Sequence, residues 1–355
     1  MGGRDGMGMQ RLPVHRLYFA GASIQGLLSV GLWIFARPAG VPAFLWHGHE
    51  LVFGYAMAVI AGFLFTRTGE RTALFVLLLW AAARLAWLLD YGGLPAALLS
   101  PAATLAIAAI AAQGFLRGIK RGQNAPFPLL LLALAAGDVL AQTALARGGV
   151  LLGLFAAVIL IVVMGGRIAG AALSGLVQRA GGARIAPELV LEKLVLLALA
   201  LSGLAIAADA PAVATAPCAA AAGGLMLWRM RRWIGALALA GAELRALAAG
   251  QVFIALGLVG SALNALAALW PSSAPLHLIT VGGIGLTTVT MMLKTAAQRE
   301  RRAPPDGAIA VAAICMGLAA VLRAAGDAAP AIAYSLAALL WMAALAICLI
   351  ALNRK

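Results

Sequence analysis

Apolar runs of about 20 residues recur from residue 17 to the end of this 355-residue chain, separated by short loops. A helix needs about 20 apolar residues to cross a hydrocarbon core of roughly 30 Å. The runs are continuous and rich in Leu and Ala, whereas barrel strands are short and alternating. Only 11% of the residues are charged, against about 25% in soluble domains. The sequence therefore predicts an all-α polytopic integral membrane protein, a single transmembrane domain over residues 1–355 embedded in the lipid bilayer.

The apolar pattern predicts about twelve transmembrane helices. Their predicted bounds are 17–36, 43–66, 72–90, 94–115, 126–146, 149–173, 187–208, 211–228, 246–269, 276–297, 307–324 and 329–352. The stretch 229–245 fits the pattern least well, because three arginines precede its second apolar segment. The 41 glycines suit close packing of membrane helices.

The distribution of Lys and Arg predicts the orientation. Positive residues concentrate in cytoplasmic loops, and an inside N-terminus followed by twelve spans places most of them on one side. The predicted inside segments contain Arg4, Arg11, Arg16, Arg67, Arg71, Arg117, Lys120, Arg121, Arg179, Arg184, Lys193, Arg229, Arg231, Arg232, Arg245, Lys294, Arg299, Arg301, Arg302, Arg354 and Lys355. The predicted outside loops contain Arg37, Arg147, Arg323, Asp90, Asp209 and Asp327. Both termini are therefore expected inside.

The sequence also argues against nucleic-acid binding, a cleaved signal peptide and cysteine-based sites. A net charge of +14 is typical of nucleic-acid-binding proteins, but here the charge lies in short loops next to spans, where topology and anionic lipids explain it. We therefore expect no nucleic-acid partner. We interpret the first apolar run as a span and not a signal peptide, since no small-residue cleavage site follows it. Three unpaired cysteines inside spans indicate neither a disulfide framework nor a thiolate metal site.

The histidines are the most informative residues, because ionisable side chains inside a membrane are costly and usually functional. Trp46-His47-Gly48-His49-Glu50 lies at the outer end of the second span. Positions two apart on a helix point roughly 200° from each other, so His47 and His49 are not expected to bind one ion from a regular helix. His47 is expected to share a face with Glu50 and Gly54. One interpretation is that the two histidines bind different cofactors, one imidazole facing a metal ion and the other a haem ring. The alternative is that these polar residues only contact lipid headgroups at the membrane surface.

His277 opens the tenth span at the same outer surface and is expected to face the second-span cluster. Gly282, Gly283 and Gly285 below it allow close approach, for which helix packing is the simpler interpretation. Glu50 would orient a histidine, ligate a metal or relay protons. His15 lies at the inner surface and is interpreted as structural.

Several segments resemble the NnrS family of bacterial membrane proteins. The strongest is WHGHELVFGYAMAVIAGFLFTR, at residues 46–67; MGGRI at 164–168, HLITVGGIGLTTVTMM at 277–292 and HRLYFAGAS at 15–23 support it. The resemblance implies a haem- and copper-containing protein of the bacterial cytoplasmic membrane, associated with denitrification and tolerance of nitric oxide.

The resemblance also implies site residues. The implied metal and haem ligands are His47, His49, Glu50 and His277, with His15 a weaker candidate. Arg167 stands where the family keeps an arginine, and it would pair with a haem propionate or reach lipid headgroups.

The chain departs from the family where fewer histidines are present. Residues 298–302 read Gln-Arg-Glu-Arg-Arg in place of a Gly-His-Thr-Gly-Arg motif, and Ala248 replaces a further histidine. Fewer histidines leave fewer possible ligands, so the resemblance leaves open whether this chain binds both cofactors, one of them or neither. Two functions are expected: binding or reduction of nitric oxide at a haem/copper site, with the electron donor (quinol or another) undetermined, or transport of a small solute or metal along a path lined by Arg84, Asp138 and the histidines.

Overall fold

The computed structural model describes residues 13–36, 42–120 and 122–354, and within them it contains helices and no strands. Twelve helical rods, here α1 to α12, follow one another along the chain. They are Val14–Ala36, 43–64, Glu70–Leu89, Leu94–Arg117, Pro126–Ala141, Ala146–Arg179, Leu189–Ala207, Ala212–Met230, Ala242–Ala267, Ser273–Arg299, Asp306–Ala325 and Pro330–Asn353.

The all-α membrane fold predicted from the apolar runs is confirmed. In the described part of the chain, nine helices are long and apolar enough to cross a membrane. The other three rods, α2, α5 and α8, are shorter, interrupted or less apolar. The exact number of spans and the inside location of the termini stay predictions. The difficult stretch after α8 contains a turn at Arg231–Trp233 and a short helix, Ile234–Leu237. Arg4, Arg11, Arg37, Arg121 and Lys355 lie outside the described residues.

Three rods contain π-helical turns, in which hydrogen bonds join residues five apart instead of four, so each turn contains more residues and the helix is wider. They are Leu32–Ala36 at the end of α1, Glu50–Ala56 within α2 and Leu278–Gly285 within α10. The last two begin immediately after His49 and His277. Such segments are frequent at functional sites.

Helices α2, α6 and α10 form the interior of the bundle. Nearly every residue from 52 to 62 is buried, and α6 and α10 are the most deeply buried of the long apolar helices. The glycines of α10 serve helix packing: Gly282 packs against Phe253, and Gly283 packs against Ile254 of α9. The packing interpretation of these glycines is therefore supported.

The two ends of the bundle differ in chemistry. Arg299 at the end of α10 donates hydrogen bonds to the carbonyls of Gly62 and Phe63 at the end of α2. We call this the basic end, and the opposite end, with His47 and His277, the histidine end.

Candidate metal centre

His47 and His277 meet at the histidine end. Their ring centres are 6.5 Å apart and their planes differ by 18°. Trp33, on the last turn of α1, also lies beside His47, with ring centres 5.8 Å apart. Imidazoles from two separate helices thus come together, as the topology suggested.

The ring nitrogens of this pair have few protein partners. His277 Nδ1 lies 2.6 Å from the carbonyl oxygen of Ser273, and because a carbonyl only accepts, Nδ1 carries the proton and donates. A neutral ring then has its lone pair on Nε2, the arrangement typical of metal-ligating histidines. His47 Nδ1 is buried and has no hydrogen-bond partner among the described residues.

A cation lies close to both imidazoles. Arg323 of α11 is within electrostatic range of His47 and His277 and packs over the ring of Tyr334 at 3.8 Å. Its Nη1 is buried without a hydrogen-bond partner in the described part of the chain. The guanidinium therefore favours negative charge beside the pair.

His49 points away from this pair into a separate polar network. Its Nε2 donates to Asp138 Oδ1 of α5 at 2.9 Å, and its ring stacks on Trp87 with centres 3.4 Å apart. Asp138 also accepts hydrogen bonds from Ser100 Oγ at 2.8 Å and Thr104 Oγ1 at 2.5 Å, both on α4. One face and one nitrogen of His49 are thus engaged by protein.

Glu50 closes the network on its other side. Its carboxylate accepts hydrogen bonds from Arg84 Nη1 at 2.7 Å and from Gln25 Nε2 at 2.5 Å. Its Oε1 lies 3.3 Å from His49 Nδ1. Glu50 therefore lies beside His49 and is held by Arg84 and Gln25, and its roles in orienting a histidine, ligating a metal or relaying protons stay predictions.

The expected shared face of His47 and Glu50 is not observed. The π-helical turns that begin at Glu50 change the register of α2. Glu50 and Gly54 both face Arg84 and Gln25, while His47 faces α1 and α10. The expectation assumed a regular α-helix, whereas the wider turns rotate Gly54 away from the face of His47. Even on a regular helix, residues three positions apart differ in direction by roughly 60°, and here His47 and Glu50 contact different helices.

Two predicted site residues lie far from the histidine pair. Val150 packs at the level of Gly48, and Arg167 follows seventeen residues later on α6, roughly 26 Å along the axis. Its guanidinium lies 5.0 Å from the ring centre of Phe127. His15 is at the basic end, with Nε2 3.7 Å from Glu300 Oε1. The structure does not bring Arg167 or His15 to the other candidates.

Sequence reasoning missed several partners of these histidines. Trp33, Trp87, Ser100 and Gln25 resemble ordinary residues of membrane helices, and no local pattern distinguishes them. Arg84 and Asp138 were noticed as ionisable residues inside spans, a signal that could have suggested that they pair with the cluster on α2. The described residues contain no group of three or more His, Cys, Asp or Glu arranged to hold a metal ion.

Comparison with known proteins identifies the family. No curated protein matches the sequence. The family model described as NnrS protein matches residues 12–354, nearly the whole chain and every site residue above. The chain therefore belongs to the NnrS family.

Proposed function

We propose that this protein binds one metal cofactor, copper or haem iron, between His47 and His277 and binds nitric oxide there, in the bacterial cytoplasmic membrane. The observation that carries the proposal is the approach of these two imidazoles from α2 and α10, where both residues are half-buried at the histidine end of the bundle. Ionisable side chains that face one another within a bundle of membrane helices are functional by default. Membership of a family linked to the nitric oxide response supports the choice of ligand.

The spacing of the pair suits a shared metal ion. Metal–imidazole bonds are about 2 Å long, and the bonded nitrogen is roughly 1.2 Å from the ring centre, so two imidazoles that hold one ion have ring centres at most about 6.4 Å apart. The observed separation is 6.5 Å. Copper or haem iron at this site would be held by His47, by His277 or by both.

His49 fits the role of a ligand less well. A metal on Nε2 would displace the hydrogen bond to Asp138, and a haem beside the ring would displace Trp87. Its assignment as a ligand stays a prediction that requires rearrangement of the network.

The surrounding residues define what the site would do. When bound, copper held by both imidazoles, or haem iron held by one of them, would supply an open coordination position for nitric oxide. His277 would be held in one tautomer by Ser273, Trp33 would restrict water at His47, and Arg323 would stabilise negative charge on a ligand. Binding is the proposed activity; reduction would need an electron donor and protons in addition.

Metal and haem analysis of the purified protein tests the proposal. We expect near-stoichiometric copper or a Soret band in the wild type, and loss of most of that cofactor in His47→Gln and His277→Gln. His15→Gln is the matched control, because it removes an imidazole roughly 27 Å away along α1, and it should keep full cofactor content.

Two outcomes would contradict the histidine pair. Cofactor loss in His49→Gln but not in His47→Gln would move the site into the network around Asp138. A colourless, metal-free wild type from cells replete with haem and copper would favour the transport function.

A further inference from the structure

A guanidinium group without a carboxylate partner lies beside the histidine pair. Arg323 is in the last turn of α11, and α11 packs against Ser273–His277, the first turn of α10. Arg323 is half-buried, and its Nη1 is enclosed without a hydrogen-bond partner among the described residues. None of the ion pairs between described residues includes Arg323. We call His47, His277 and Arg323 the imidazole–arginine cluster.

The acidic groups at this end of the bundle face elsewhere. Glu50 and Asp138, the two that are buried there, belong to the network around His49. Asp327 is exposed, and its Oδ1 accepts a hydrogen bond from the hydroxyl of Tyr334 at 2.5 Å. Because the Asp327 carboxylate is in contact with solvent, its charge is screened. The imidazole–arginine cluster therefore has one positive charge without a buried counter-charge.

The position of Arg323 on its helix explains only part of this arrangement. A cation near the C-terminus of a helix is favourable, which accounts for an arginine in the last turn of α11. That interaction acts equally on an exposed side chain, so it does not account for the burial of Nη1. A buried donor without a partner is costly, and an acceptor from outside the protein would satisfy it.

The charge and the size of the cluster restrict that acceptor. A monovalent anion would neutralise the one surplus charge, whereas a divalent anion would leave a net negative charge in surroundings of low dielectric constant. The ring centres of His47 and His277 are 6.5 Å apart, which suits a ligand of a few atoms. His47 Nδ1 is a second buried ring nitrogen without a partner among the described residues. These features favour a small anion such as azide or nitrite over sulfate or phosphate.

We propose that the imidazole–arginine cluster binds a small monovalent anion of the nitrite class, with Arg323 Nη1 donating a hydrogen bond to it. The anion site shares its histidines with the metal site but does not rest on the proposed function, because the charge of Arg323 is present with or without metal. A metal ion between the imidazoles would add positive charge and strengthen the binding of the anion.

Infrared titration with azide tests the anion site, since azide absorbs where protein does not and is detected with or without metal. We expect the wild type to give a saturable band of bound azide, and Arg323→Gln to bind azide about tenfold more weakly. Arg147→Gln is the matched control, because Arg147 is an exposed cation at the same end that pairs with Asp209, and it should bind azide as the wild type does. Nitrite should displace the azide, and sulfate should not.

Four outcomes would overturn the anion site. They are the absence of a saturable band in the wild type, equal affinities of Arg323→Gln and the wild type, an equal loss in Arg147→Gln, and displacement by sulfate as effective as that by nitrite. Should Arg323→Gln fail to fold, His277→Gln decides. The frequency of its bound azide should differ from that of the wild type, because one of the two neighbouring imidazoles is replaced, and an unchanged frequency would place the anion elsewhere.

The same titration on metal-loaded and chelator-treated protein separates the anion site from the metal site. Azide binding that depends on Arg323 in a wild type that never contains metal would support the anion site and contradict the metal site. A metal-loaded wild type that binds nitric oxide but no azide would support the metal site and contradict the anion site.

Discussion

Asp138 is the residue with the most concentrated set of contacts at the histidine end. Its carboxylate is fully buried and accepts hydrogen bonds from side chains of α2 and α4 and from Gln142. A carboxylate in the apolar interior is tolerated only when its oxygens are satisfied and a positive group is near. Arg84 supplies that charge through Ser100, to which its Nη2 donates at 2.6 Å. Removing one member therefore leaves the others unsatisfied.

Asp138→Asn is expected to destabilise the protein strongly. The amide replaces one acceptor oxygen with a donor, so Ser100 or Thr104 loses its partner and the charge that faces His49 disappears. Breaking such a buried arrangement costs about 3 kcal/mol, measured as a lower midpoint of thermal unfolding. Asp209→Asn is the control, because its ion pair with Arg147 is exposed and contributes little. Equal midpoints for the two variants would show that the network is not important for stability.

At the scale of helices, the sequence predicted positions well and contacts poorly. The bounds of most spans agree with the rods because the length of an apolar run determines whether it crosses a bilayer. The π-helical turns after His49 and His277 were not predicted, since the apolar pattern does not distinguish hydrogen bonds between residues five apart from those between residues four apart. The approach of His277 to His47 was anticipated from topology. The pairing of His49 with Asp138, 89 positions away, was not, because periodicity contains no information on which helices are neighbours.

Glycines at the contact between α5 and α6 let the two backbones approach closely, and this contact positions Asp138. A Cβ added at Gly149 of α6 would lie 2.5 Å from the backbone nitrogen of Ala141, and one at Gly137 would lie 2.7 Å from the carbonyl oxygen of Gly149. Main chain contacts main chain here, so neither side has a flexible side chain that can move aside. Such close approach is typical of small residues between membrane helices.

Gly149→Ala is expected to separate α5 from α6 and to lower the thermal midpoint, because the added methyl group meets backbone. The shift of α5 should also loosen Asp138 from His49. Gly224→Ala is the matched control: it is helical, nothing lies within 4 Å of an added Cβ, and alanine favours helix by about 0.5–1 kcal/mol. A midpoint for Gly149→Ala at or above that of the wild type would refute the close contact.

At the scale of the whole molecule, helices distant in sequence are joined at the basic end. Glu300 follows α10 at the point where the chain departs from the family motif, and Arg16 of α1 donates Nη2 to its carboxylate at 2.6 Å. Arg302 donates Nε to the same oxygen at 2.8 Å. Chiefly because Arg16 donates to it, the pKa of the Glu300 carboxyl is lowered from 4.5 to about 2, against the opposing effect of burial. The ion pair thus connects the first rod to the end of the tenth.

This connection predicts a specific dependence of stability on pH. Since the pKa of Glu300 is lower in the folded protein, its stabilising contribution is complete above pH 4.5 and declines as the pH falls toward 2. Linkage gives at most about 3 kcal/mol for that difference. The charged or titratable groups that face the carboxylate are Arg16 and His15 from α1 and Arg302 from the following turn. At pH 7, Glu300→Gln should therefore unfold at a lower temperature than the wild type, and the gap between their midpoints should narrow steadily from pH 4.5 downward. If the difference between the two midpoints is constant across this range, the glutamate contributes through packing and not through its charge. If the two midpoints are equal at pH 7, α1 is held to α10 by the apolar contacts alone.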